Sequence, residues 1–288
     1  MSSNVTDAPP LLIAHLLPRI EAALIELLRS LTDDDWERPT VAKVWRVKDV
    51  AAHLLDTHLR KLSIVRDGYR DPTVTVDDLR DLTSFINRMN QEGVAVYRRL
   101  SARVLIERLE RAGAESAAWH QSLDPFADAV FPVSWAGETR SPNWFDTARE
   151  YTERWHHQQQ IRLATSRPGI MTPELYYPVL DCFMRALPHA LRGVTRETGA
   201  VLVVAVTGEC GGHWRLDRHD DRWRLITGPA AAGARRGSRP AGAIAIPQEI
   251  AWRVFTRGIA RDEATPLVDI SGDRELALRV LETIAIVG

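Results

Sequence analysis

The chain has 288 residues, 45% of them hydrophobic, and its 37 basic and 38 acidic residues give a net charge of -1. This length favours one large domain or two ordinary ones, and the balanced charge disfavours nucleic acid and anionic membranes as partners. Its two cysteines, Cys182 and Cys210, are too few for a disulfide framework and too far apart for a CxxC motif. With no signal-peptide pattern and no apolar run of membrane-spanning length, we expect a soluble, unprocessed, cytoplasmic protein.

The first two thirds of the chain carry apolar residues at helical spacing. A first helix is indicated by a stripe that recurs with a period of about 3.6 residues, formed by Leu16, Ile20, Ala23, Leu24, Leu27 and Leu31. Its regular part should begin at Pro18, because proline is tolerated in the first turn. Further helices are predicted over residues 47–69, from the Asp77-Asp78 cap signal to about residue 123 with a break near Ser101, over 142–165 and over 173–194. Residues 124–142 are predicted to form an ordered loop.

The pattern changes near residue 198. Residues 200–207 form a β-branched run, and 213–216 and 222–226 alternate apolar with charged residues on either side of the Asp220-Asp221 pair, which suits a hairpin turn. A loop over 228–242, a strand at 243–246, a helix at 248–257, a strand at 267–270 and a closing helix at 274–286 follow. We therefore predict a helical bundle over residues 10–195 and a smaller α+β domain over residues 198–288.

One predicted helix carries a candidate metal-binding pair. Glu153 and His157 are four residues apart, so their side chains project from the same face about one turn from each other. The third ligand of a catalytic zinc site would come from an adjacent helix, where His53 lies beside the apolar positions Val50 and Leu54. Two histidines and one glutamate leave an open coordination position, which is typical of catalytic zinc.

Other histidines give alternatives. His156 points about 100° away from His157 on the helix and is a competing ligand, although no carboxylate stands four residues before it. His58 lies one turn beyond His53 and is assigned a structural role. A Glu and a His four residues apart are also frequent on solvated helix faces, and His53 alone is also compatible with a hydrogen-bonded core residue.

The two segments that hold these residues resemble a known family. VWRVKDVAAHLL, with Trp45 and His53, and AREYTERWHHQQQIR, with Glu153 and His157, look like the metal-bearing motifs of the mycothiol-dependent maleylpyruvate isomerase family. That family belongs to the DinB-like superfamily of metal-binding four-helix bundles. The resemblance implies a bundle whose second and last helices bind a divalent metal, usually zinc. Residues 198–288, with VDISGDRELALRVL as the closest stretch, are similar to the family's sterol-carrier-like α+β C-terminal domain.

The chain also departs from the family pattern. Members often carry an acid three residues after the last ligand, whereas this chain has Gln160, which can orient a ligand by hydrogen bonding but cannot raise its basicity as a carboxylate would. The family also directs an arginine of the C-terminal domain towards the metal. Arg257 is the nearest match and the predicted catalytic residue, with Arg253, Arg215 and Arg218 as competitors.

The implied chemistry is activation of a low-molecular-weight thiol, mycothiol, as a metal-bound thiolate. In an isomerase the thiolate adds to the cis double bond of a maleylpyruvate-like acid, rotation follows, and elimination gives the trans isomer. In an S-transferase it attacks an electrophile and stays attached. A metal-dependent hydrolase without a thiol and a non-catalytic small-ligand-binding protein are the alternatives. We expect small-molecule partners and a monomer or homodimer.

Overall fold

The computed structural model describes residues 8–74, 81–228, 231 and 240–286. The described residues group into two units. The helical unit consists of Ile13–Val130 and Glu153–Ile170, and the sheet unit consists of residues 8–12, Phe131–Thr152 and Met171–Ile286. Helices come first and a sheet follows after residue 200, which confirms the predicted fold class of a helical bundle followed by an α+β domain. The boundary expected between residues 195 and 198 stays a prediction, since residues of the later helices group with the sheet.

The helical unit is built mainly from long helices, and several of them begin at an identifiable capping residue. These are α1 (Leu17–Arg29), the short α2 (Asp33–Trp36), α3 (Val47–Lys61), α4 (Leu82–Tyr97), α5 (Ala102–Ser122) and the part of α6 (Asn143–Thr165) that follows residue 152. Pro18 lies in the first turn of α1, as predicted. The predicted break near Ser101 is confirmed, because its hydroxyl accepts the Val104 N–H and caps α5. Asp81 caps α4 in the same way, while the predicted Asp77-Asp78 cap lies outside the described residues.

The core of the helical unit is aliphatic. α3 packs against α4 and α5, and α1 packs against α5. Buried residues of α1, α2, α3, α5 and α6 form one cluster, which includes Leu24, Leu28, Trp36, Val50, Leu54, Leu105, Leu109 and Ile161. Because Val50 and Leu54 lie on the buried stripe of α3, His53 between them is directed into the bundle.

A buried carboxylate holds the short helix α2. Asp35 accepts hydrogen bonds from the Thr32 backbone N–H at 3.1 Å and from Nη2 of Arg167 at 2.8 Å. The bond from Arg167, together with that from Thr32, lowers the pKa of Asp35 to about 2. This contact therefore strengthens as Asp35 ionises.

The sheet unit contains a five-stranded sheet with the order β3-β2-β1-β4-β5. Its strands are β1 (Val201–Thr207), β2 (Gly212–His219), β3 (Arg222–Ile226), β4 (Gly242–Pro247) and β5 (Asp269–Gly272). β1 and β4 are parallel, and the other neighbours are antiparallel. The predicted hairpin between β2 and β3 is confirmed, with Asp220 in the left-handed region at φ 51°. The remaining helices are α7 (Pro173–Met184), α8 (Leu187–Ala190), α9 (Gln248–Phe255), α10 (Arg261–Ala264) and α11 (Arg274–Leu278).

Several predicted helix ends were wrong. The helix expected over 173–194 ends at Met184, because Pro188 cannot donate a backbone hydrogen bond and instead enters the separate turn α8. The α-helix expected over 47–69 ends at Lys61 and continues as the π-helical turn Leu62–Arg66. The closing helix ends at Leu278 and tightens into a 3₁₀ turn. The loop expected over 228–242 lies largely outside the described residues. No described helix combines the length and hydropathy of a membrane span.

Candidate metal centre

The structure brings the three predicted ligands together in the helical unit. His53 comes from α3, and Glu153 and His157 come from α6; one donor atom of each lies within 4.8 Å of the others. Nε2 of His157 is 3.3 Å from Oε2 of Glu153, and the imidazole centroids of His53 and His157 are 4.6 Å apart. Among the residues that the structure describes, this is the group of histidine, cysteine and acidic side chains that converges closely enough to hold a metal ion.

A hydrogen bond fixes which nitrogen of His157 is free to bind a cation. Nδ1 of His157 lies 2.9 Å from Oε1 of Gln160, one turn further along α6. An amide oxygen only accepts, so Nδ1 carries the proton and Nε2 presents its lone pair towards Glu153. Gln160 therefore orients the imidazole without adding charge.

His53 is held as a neutral imidazole. Its side chain is 4% exposed, and burial, reinforced by the neighbouring His157, lowers its pKa well below the ordinary value. Its Nδ1 is buried and has no hydrogen-bond partner among the described residues. Neutral imidazole is the form that binds metals, and an unpaired buried ring nitrogen is more readily explained in a ligand than in a packing residue.

Trp45 covers the two imidazoles from the loop before α3. Its ring centroid is 4.7 Å from that of His53 and 6.1 Å from that of His157. The indole provides an apolar wall that limits water on this side and strengthens electrostatic interactions within the site. The sequence placed Trp45 only within a motif; its contact with both rings is a finding of the structure.

The donor set fits a divalent cation. Two neutral nitrogens and one carboxylate match the ligands of a catalytic zinc site and offset part of the cation's charge. The Glu153 side chain is 25% exposed, against 9% for His157, so the carboxylate side of the group faces solvent. A further ligand of the cation would then approach from the side of Glu153.

The competing histidines have other contacts. The His156 ring lies 4.0 Å from that of His157, but its donor atoms are not part of the described converging group. His58 points to a different buried carboxylate, that of Glu21, at 3.4 Å. The geometry therefore favours His157 over His156.

The candidate arginines all belong to the sheet unit. Arg253 donates to a backbone carbonyl, Arg215 pairs with an aspartate of its own strand, and Arg218 is buried over an indole ring. Arg257 is exposed and follows α9 in the left-handed region at φ 57°, a strained conformation for a residue with a Cβ. Its catalytic role stays a prediction.

Comparison with known proteins gives one family model and several similar solved structures. The family model described as the mycothiol maleylpyruvate isomerase N-terminal domain matches residues 17–162. The structure is similar to the crystal structure of the mycothiol-dependent maleylpyruvate isomerase, with 13% identity, a TM-score of 0.50, and coverage of 86% of this chain and 89% of that chain. At this identity the likeness concerns the fold.

Two further solved structures are similar at lower TM-scores. A histidine-to-alanine mutant of the same isomerase has 13% identity, a TM-score of 0.48, and coverage of 92% of this chain and 94% of that chain. The solution structure of the sterol carrier protein domain 2 of Helicoverpa armigera has 15% identity, a TM-score of 0.25, and coverage of 35% of this chain and 80% of that chain. No curated protein matches the chain in sequence.

Proposed function

Because the chain belongs to the mycothiol maleylpyruvate isomerase family, we propose that it is a metal-dependent enzyme that uses a low-molecular-weight thiol, mycothiol, on small unsaturated acids. The observation that supports metal use is the convergence of His53, Glu153 and His157 within 4.8 Å. Zn²⁺ is the ion we propose, since it favours this combination of nitrogen and oxygen ligands.

The protein's own residues would prepare the site for a thiol. A bound divalent cation supplies Lewis-acid chemistry, lowering the pKa of a coordinated thiol from its usual value of about 8.5. His53 and His157 offer neutral nitrogens, and Glu153 contributes the one negative charge. Gln160 keeps the proton of His157 on Nδ1, away from the metal side. Trp45 limits the access of water to the imidazoles.

We propose that Arg257 binds the carboxylate of the substrate. A guanidinium binds a carboxylate bidentately and holds the acid in one orientation. A metal-bound thiol and an arginine that binds a carboxylate are compatible with two reactions. These are cis–trans isomerisation of a maleylpyruvate-like acid and transfer of the thiol, through its sulfur, to a small electrophile. They differ in whether the thiol is released at the end.

Metal content is the first test. We expect purified protein to hold about one equivalent of zinc, and His53→Ala and His157→Ala to lose it because each removes a ligand. His15→Ala is the matched control, since His15 is an exposed histidine of the same unit. His156→Ala tests the competing ligand. Loss of zinc from His156→Ala and its retention in His157→Ala would contradict the assignment.

Thiol dependence is the second test. Maleylpyruvate and simple electrophiles are incubated with the zinc-loaded protein, with and without mycothiol, and the products are separated by chromatography. We expect turnover only with the thiol. Turnover by water alone would indicate a metal-dependent hydrolase, and ligand binding without turnover or zinc would indicate a binding protein.

A further inference from the structure

A second group of buried polar residues lies in the helical unit, outside the metal centre. It consists of Glu21 of α1, His58 of α3, Ser116 of α5 and Arg154 of α6, and we call it the buried cluster. Oε1 of Glu21 is 3.0 Å from Nη1 of Arg154 and 3.4 Å from Nε2 of His58. Nη2 of Arg154 donates to Oγ of Ser116 at 2.8 Å. Direct contacts thus connect one side chain from each of four helices.

The buried cluster is ionic although it lies in the interior. All four residues are buried. Burial opposes ionisation of Glu21, but the interactions of its carboxylate with His58 and Arg154 outweigh this effect and hold the pKa of Glu21 below its ordinary value. Nε of Arg154 and Oε2 of Glu21 lack hydrogen-bond partners among the described residues. An incompletely bonded buried ion pair contributes little net stability, because desolvation offsets its Coulomb attraction. Stability alone therefore does not account for the cluster.

The helix α5 is adapted to the cluster. At Gly113 a Cβ atom would lie 2.6 Å from Oε2 of Glu21, too close for any side chain without movement of the carboxylate. The backbone of α5 thus lies so close to Glu21 that a Cβ at position 113 would displace the carboxylate. This contact limits the movement of the Glu21 carboxylate, and the hydrogen bond to Ser116 orients the Arg154 guanidinium.

The cluster is directly linked to both ligand-bearing helices. Arg154 follows Glu153 in α6 and lies between Glu153 and His157, about 100° from the first and about 60° from the second around the helix axis. A rotation of α6 that moved Arg154 would therefore turn both ligands together. On α3, His58 follows His53 by five residues, about 7.5 Å along the axis. Contacts of Arg154 and His58 with one carboxylate thus restrict how α6 and α3 rotate and slide against each other.

We propose that Glu21, His58, Ser116 and Arg154 are positioning residues that set the relative rotation of α3 and α6 and thereby the geometry and affinity of the metal centre. This inference rests on the proposed metal site. It assigns the cluster no contact with substrate or metal. Its effect is transmitted through the two helices.

The test compares Co²⁺ binding with fold stability. The apolar variant Glu21→Met/His58→Leu/Arg154→Met removes the charges together, which avoids leaving one ion buried without a partner. Ser116→Ala is a milder variant that removes only the hydrogen bond to Arg154. The control is Arg29→Met/Glu110→Met, which removes an exposed ion pair between α1 and α5. For each protein, Co²⁺ affinity is measured by chelator competition, coordination by visible absorption bands, and stability by thermal unfolding without metal.

We expect the apolar variant to fold, to bind Co²⁺ at least about tenfold more weakly and to show altered absorption bands, as for loss of residues that orient ligands. Ser116→Ala should also weaken Co²⁺ binding and alter the absorption bands, but less than the apolar variant does. The control should match wild type in both measurements. If the apolar variant folds and shows the Co²⁺ affinity and absorption bands of wild type, the positioning role is overturned and the metal site stands. If the apolar variant does not fold, the same result with Ser116→Ala overturns the positioning role. Wild-type protein that binds no Co²⁺ would overturn the metal site and the positioning role together.

Discussion

The hydrogen bond between Gln160 and His157 yields the sharpest prediction about the metal centre. Gln160→Leu keeps approximately the volume of the side chain but removes the acceptor for Nδ1 of His157, now 2.9 Å away. Both residues are buried, with Gln160 6% and His157 7% exposed, so water replaces the lost acceptor poorly. His157 then either leaves a buried N–H unpaired or changes its tautomer and withdraws Nε2 from the metal.

The expected size of the effect follows from these contacts. A buried hydrogen bond contributes about 1 kcal/mol, and an unpaired buried donor costs about 1–3 kcal/mol. Since about 1.4 kcal/mol corresponds to a factor of ten, the Zn²⁺ dissociation constant should rise about 10- to 100-fold. Gln160→Glu keeps an acceptor and adds a negative charge, which raises the basicity of the imidazole. It should therefore bind Zn²⁺ at least as tightly as wild type.

The assay is competition for Zn²⁺ with a chromophoric chelator at a fixed neutral pH. Gln159→Leu is the matched control, because Gln159 is the adjacent glutamine, is 8% exposed, and has no hydrogen bond to Oε1 among the described residues. It should bind Zn²⁺ like wild type. Equal affinity of Gln160→Leu and wild type would refute the role of the hydrogen bond, as would equal weakening by Gln159→Leu.

Three further predictions concern stability and catalysis. Gly93→Ala should lower the free energy of unfolding in urea by about 1–3 kcal/mol, since its Cβ would lie 2.3 Å from Cγ of Asp56; Gly193→Ala, with no atom within 4 Å, should change it little. Arg257→Gly should relieve left-handed strain of about 1 kcal/mol, raising the melting temperature while abolishing thiol-dependent turnover; unchanged turnover would exclude the catalytic assignment. Folding lowers the pKa of Asp35 from about 3.8 to about 2, so its contribution to stability should be complete above pH 3.8 and be lost as the pH falls through about 2. Asp35→Asn should remove this pH dependence when the free energy of unfolding is measured against pH. The same acid dependence in Asp35→Asn and wild type would contradict the role of Asp35.

Local sequence patterns predicted most of the elements. The apolar stripe of α1, the helix break near Ser101 and the alternation in β2 and β3 each follow from interactions within a few residues, and the structure confirms them. The extent of the helix after residue 173 was not predicted, although Pro188 was a visible signal for its end. Asp81 caps α4, and the cap predicted at Asp77-Asp78 lies outside the described residues.

The sequence by itself determined the pairing of Glu153 with His157, because residues four apart on a helix always share a face. It also indicated that Gln160, a turn beyond His157, can hydrogen-bond the ligand, as the structure bears out. Only the tertiary structure decided that His53 meets this pair and that Trp45 covers both imidazoles.

The buried cluster was likewise beyond the reach of sequence patterns. Glu21, His58, Ser116 and Arg154 are distributed over four helices, and each alone resembles an ordinary polar residue on a helix. Helical periodicity states which residues share a face of one helix. It does not state how far one helix rotates or slides against another, which is settled by side-chain packing between segments distant in the chain.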